Sequence, residues 1–147
     1  MRILYVGFKG KNNTSSQLVS ALDGESLLLT NSFAGVERDI EALNTDYDAV
    51  IMFGLDKALS DTVRIEKNAA LHGDSLSTVL PTDQMAERFM KNGINCEISE
   101  RPTHYLCNDA YYRMLQKTNG KSIFIHIPGS RHMTDDLMAG IARSLGE

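Results

Sequence analysis

Three apolar runs of strand length, ILYVGF (3–8), DAVIMFG (48–54) and KSIFIHIP (121–128), are separated by stretches whose apolar residues recur at helical intervals. A strand that is apolar on both of its faces has to be covered on both sides, which is the habit of parallel sheets flanked by helices. Between these runs, SLLLT (26–30), TVRIEKNAAL (62–71) and NCEISE (95–100) read as further strands, and HGDSLSTVL (72–80) reads as a loop. Helices are predicted over 16–24, 32–44, 82–93, 104–120 and 134–146. The second places Phe33, Val36, Ile40 and Leu43 at helical spacing. The third opens on a candidate N-cap, Thr82, and puts Met85, Phe89 and Met90 on one face. Alternating strands and helices imply a three-layer α/β fold: an open, mostly parallel sheet with helices on both faces. Functional residues then belong at the carboxyl ends of strands and in the loops that follow.

Composition narrows the class. The 147 residues are 42% hydrophobic and 23% charged, with three prolines and no repeat, as expected of a single globular domain over 1–147. A net charge of −4 gives no basic stripe for nucleic acid, and Lys9 and Lys11 are too few to make one. No apolar stretch approaches a membrane span, and ILYVGF is too short for a signal segment, so a cytoplasmic chain is expected. Two cysteines do not make a disulfide framework there.

One of those cysteines, Cys107, lies in THYLCNDAYYRM (103–114), at the predicted start of a helix with an apolar face of Leu106, Ala110, Tyr111, Met114 and Leu115. The free N–H groups and partial positive charge of a helix start lower a thiol's pKa, which suits a nucleophile. Free cysteine is also among the most buried residue types, and the stretch by itself favours that reading. Cys96 reads as core. His126, inside SIFIHIP, is by pattern a core histidine; as a partner of Cys107 it needs only to reach the same end of the sheet. His104 and His132 compete for that role. Glu66 in VRIEKNA reads as a surface carboxylate or as the acid that orients the imidazole. Walker A, G-x-G-x-x-G, H-E-x-x-H, C-x-x-C and G-x-S-x-G motifs are absent, and nothing in the chain calls for a metal or organic cofactor.

Taken in order, RIEKNA, ISERPTHYLCN and, nineteen residues beyond its cysteine, FIHIP resemble the pyroglutamyl peptidase I (pyrrolidone carboxyl peptidase) family. Glu66, Lys67 and Ala69 match its E-R/K-x-A segment; Ser99, Tyr105, Cys107 and Asn108 match S-x-x-A-G-x-Y-x-C-N; Phe124, Ile125, His126 and Pro128 match F-I-H-x-P. The opening ILYVGF is similar to the family's first strand, which ends in Gly-Phe. The resemblance implies a cysteine peptidase that removes N-terminal pyroglutamate from peptides through a thioester. Cys107 would be the nucleophile, His126 the base and Glu66 its orienting acid, with Phe8, Asn13 and Tyr105 binding substrate. It also implies a possible homo-oligomer. The chain departs from the pattern in three places: KGKNNTSS (9–16) replaces a glycine-rich loop, Pro102-Thr103 replaces Ala-Gly, and the span from Glu66 to Cys107 is shorter. Three readings follow: a pyroglutamyl peptidase, a cysteine hydrolase of altered acyl specificity, and a non-catalytic α/β binding or scaffold module.

Overall fold

The computed structural model describes residues 1–44 and 46–146. In chain order the elements are β1 (Ile3–Phe8), α1 (Thr14–Ala21), β2 (Glu25–Leu29), α2 (Phe33–Glu41), β3 (Ala49–Leu55), β4 (Thr62–Glu66), β5 (Asn68–Leu71), β6 (Asp74–Ser77), α3 (Thr82–Lys91), β7 (Asn95–Ser99), α4 (Tyr105–Lys117), β8 (Ser122–Ile127) and α5 (Asp135–Leu145). Six strands form one sheet in the order β2-β1-β3-β8-β4-β7. Its pairs are parallel except β4 with β8, which run antiparallel and set Arg64 opposite His126 and Glu66 opposite Phe124. The expected mostly parallel α/β sheet is thus present, and no helix among the described residues is long and apolar enough to cross a membrane.

The two-residue period of the strands sorts side chains into two cores. On one face Tyr5, Ile51, Phe53, Val63, Ile65, Ile123, Ile125 and Ile127 pack against α1, α3 and α5. On the other, Leu4, Val6, Phe8, Val50, Met52 and Phe124 pack against α2, α4 and β5. By the same alternation Arg64, Glu66 and His126 fall on the second face, the side covered by α4 and Cys107.

Several sequence expectations shift. The stretch 62–71 is two strands, because the chain leaves the sheet at Lys67 and β5 pairs with β6 as a separate antiparallel hairpin. The loop expected at 72–80 therefore contains a strand. Its turn, His72-Gly73, has φ of +53° and +82°, the double positive φ of a tight hairpin turn, with histidine where asparagine is usual. At α3 the N-cap is Pro81 and Thr82 is the first helical residue, without a side-chain cap bond. Met85 and Phe89 are buried as expected, whereas Met90 is exposed, as is Phe33 of α2.

Candidate active site

Glu66 ends β4 and His126 lies near the end of β8; both are almost fully buried, at 1% and 3% exposure. His126 Nδ1 is 3.1 Å from Glu66 Oε2. A carboxylate on Nδ1 fixes the tautomer that leaves Nε2 as the ring's acceptor. Nε2 has no hydrogen-bond partner, yet no fully buried side-chain nitrogen or oxygen among the described residues lacks one, so Nε2 keeps an opening to solvent. The Phe124 ring, 4.9 Å from the imidazole centroid to centroid, walls one side.

Cys107 is the third residue of α4 and is half-buried, with no hydrogen bond to His126. Two contacts fix its helix, one against β4, which carries Glu66, and one against β5. The Tyr111 hydroxyl donates to the Glu66 carbonyl at 2.7 Å. Asn108 acts as a strand mimic for Ala70 of β5, accepting from its N–H at 3.0 Å and donating to its carbonyl at 2.5 Å. His104, the N-cap of α4, makes no side-chain cap bond, and Tyr105 takes a φ of +56° at the helix entry. Sulfur and sheet meet at Gly54: a Cβ built there would lie 3.1 Å from Cys107 Sγ and 2.6 Å from Phe124 Cζ.

The thiol differs from its sequence expectation. Burial first, then the Glu66 and Asp56 carboxylates, push Cys107 up to about 12. The helix start favours a thiolate by a modest amount that is weakest where charge is screened. Desolvation and two nearby carboxylates act the other way, so Cys107 rests as a neutral thiol.

Glu66 has a second partner. Arg64 Nε donates to the same Oε2 at 2.6 Å, while its Nη2 meets Asp56 Oδ2 at 2.8 Å. Neither Arg64 nor Asp56 was singled out from sequence. The signal for Arg64 was present in VRIE, since alternate residues of a strand share a face.

The remaining expected residues are Phe8, Asn13, Tyr105, His104, His132 and Cys96. Phe8 is buried, its ring 6.4 Å from Phe124, and faces the core. Asn13 caps α1, accepting from Ser15 N–H at 2.9 Å and from the Ser15 hydroxyl at 2.6 Å. Tyr105 is 86% exposed. His104 and His132 are exposed and Cys96 is half-buried. An open cleft of about 250 Å³ beside the Glu66 side of the site is lined by Arg64, Glu66, Ser99, Arg101, Thr103 and His104, with Pro102.

No family model matches the chain. It is 34% identical over 85 residues to pyrrolidone-carboxylate peptidase 1 of Saccharolobus solfataricus, a match covering 56% of this chain and 38% of that one. A pyrrolidone-carboxylate peptidase of Saccharolobus islandicus is 36% identical over 66 residues, covering 43% and 32%. The matched chain thus spans well under half the length of these curated relatives. Among solved structures, a mutant pyrrolidone carboxyl peptidase of Pyrococcus furiosus superposes with a TM-score of 0.79 at 19% identity, covering 99% of this chain and 97% of that one. The Thermus thermophilus pyrrolidone carboxyl peptidase gives 0.79 at 20% identity, covering 97% of each. Pyroglutamyl peptidase I of Bacillus amyloliquefaciens gives 0.77 at 17%, covering 99% and 97%. The chain thus resembles pyrrolidone-carboxylate peptidases over part of its sequence and shares the fold of solved pyrrolidone carboxyl and pyroglutamyl peptidases.

Proposed function

We propose that this protein is a cysteine peptidase that hydrolyses the amide bond after an N-terminal pyroglutamyl residue. The reading is carried by the buried Glu66–His126 bond of 3.1 Å on the face that α4 covers with Cys107. Glu66 holds the imidazole through Nδ1, and Nε2 takes the thiol proton as sulfur attacks the carbonyl. Because the resting thiol is neutral, proton transfer accompanies attack instead of preceding it. The imidazolium then protonates the leaving amine. Water, deprotonated by His126, hydrolyses the thioester, and Cys107 regains its proton. Substrate closes the gap between sulfur and imidazole, as hydrogen bonds that are loose in a free enzyme tighten in the complex. The first-turn N–H groups of α4, which have no partners within the helix and are not capped by His104, are the donors for the oxyanion.

A second reading keeps this chemistry and changes the acyl group. It is favoured by Phe8, which faces the core, by Asn13, which is engaged as a cap, and by Tyr105, whose side chain lies outside. One experiment separates the two: the purified, reduced protein is given a pyroglutamyl coumarin amide and a panel of other N-acyl and aminoacyl amides. Turnover of the first that is lost in Cys107→Ala supports the peptidase, and turnover of another member alone supports the altered hydrolase. A folded, reduced protein that turns over none of them overturns both.

A further inference from the structure

Arg64 is the cation of the site. Its guanidinium spans two carboxylates, Nε on Glu66 Oε2 at 2.6 Å and Nη2 on Asp56 Oδ2 at 2.8 Å, with Nη1 3.9 Å from Glu97 Oε1. Its side chain is only 21% exposed and Glu66 only 1%, so the inner pair is poorly screened. The Glu66 oxygen that accepts from Arg64 is also the one that faces His126 Nδ1. A planar guanidinium fixed at both ends leaves the Glu66 carboxylate a single orientation, and that orientation aims Oε2 at the imidazole. Chain direction supports the arrangement, since the antiparallel register sets Arg64 directly opposite His126.

We propose that Arg64, anchored by Asp56, is a positioning residue that presents Glu66 to His126 for the Cys107 reaction. This rests on the peptidase reading above. Arg64 acts through Glu66 and touches no reacting atom, so its removal lowers kcat and leaves KM nearly unchanged.

The test is a double-mutant cycle on the full chain with the pyroglutamyl coumarin amide: Arg64→Ala, Glu66→Gln and the pair. Arg64→Ala is expected to lower kcat on the order of ten- to hundredfold, the scale found for outer partners that orient a reacting group. The same change in the Glu66→Gln background is expected to cost little more, because the two residues act as a unit. Added guanidinium chloride at low concentration is expected to restore part of the Arg64→Ala activity and none of that of Glu66→Gln. Losses that multiply, or an Arg64→Ala protein as active as the parent, overturn the role. If Arg64→Ala fails to fold, Asp56→Asn and Arg64→Lys replace it; each is expected to show a smaller loss of kcat with the same dependence on Glu66, and independence from Glu66 overturns the role. Should the parent not turn over the amide, the peptidase reading falls by itself. The cycle is then read in the rate at which iodoacetamide alkylates Cys107, where coupling supports the positioning role and additivity overturns it.

Discussion

Gly54 of β3 stands opposite His126 of β8, and the space its missing side chain leaves is filled by Phe124 and the Cys107 sulfur. A methyl at this position would meet the Phe124 ring at 2.6 Å, a contact that demands movement. Gly54→Ala is expected to cost about 1–3 kcal/mol by overpacking, and to lower activity by displacing the sulfur. Urea unfolding and amide hydrolysis measured on one preparation check both; an alanine protein with parental stability and rate would show that the site yields freely.

Cys107 governs an alkaline dependence. The unfolded chain loses this proton near about pH 8.5, whereas the folded protein keeps it up to about 12. Above pH 8.5 the folded state therefore binds more protons than the unfolded one, and stability falls as pH rises. Cys107→Ala is expected to flatten that fall in urea titrations between pH 8.5 and 11, leaving the smaller slope from Cys96, which burial and then Glu97 push up to about 11, joined near the top of the range by Tyr111 and Tyr5, which burial also pushes up. In the parent, alkylation of Cys107 is expected to climb throughout this range. A plateau below pH 8 would instead reveal a preformed thiolate.

Phe8 behaves as a core residue at 3% exposure. Phe8→Ala is expected to cost about 3–5 kcal/mol, the usual cost of truncating a buried phenylalanine. Phe8→Leu is expected to lower the melting temperature while leaving KM in place. A KM that rises with little change in Tm would put Phe8 in the substrate pocket.

Asn108 ties the hairpin to the helix that carries Cys107 through both polar groups of Ala70. Asn108→Ala is expected to cost roughly 1–3 kcal/mol, since it strips partners from half-buried backbone groups. Hydrogen exchange at the Ala70 amide should accelerate selectively, with the amides of β3 and β8 unchanged.

The fold was legible where the residues repeat a simple period. Continuous apolar runs at Ile3–Phe8 and Ala49–Leu55 marked central strands, and Gly93 and Gly120, both at positive φ, marked helix ends. The hairpin was not legible, because His72 stands where asparagine is usual before Gly73 and β6 carries the polar sequence DSLS. Of the site, Cys107, His126 and Glu66 could be named from local patterns and a family resemblance. Gly54 and Asp56 could not, and Arg64 only as a neighbour of Glu66 on one strand face, since their contacts arise only when β3 and β4 flank β8. The thiol's surroundings were not legible for a related reason. A helix start is local and visible in sequence, whereas the two carboxylates that oppose it come from the end of β4, 41 positions upstream, and from the residue just after β3, 51 positions upstream.

The reversed direction of β4 makes the site a reporter of correct assembly. Slipping that strand by one residue against β8 would turn Arg64 and Glu66 into the apolar layer now held by Val63 and Ile65, exposing aliphatic side chains to His126 instead. Glu66 and His126 lie 60 positions apart, so their meeting is a long-range contact that collapse alone does not deliver. A refolding population forms the Glu66–His126 pair only once this strand finds its registry, and a misregistered molecule, however compact, lacks it.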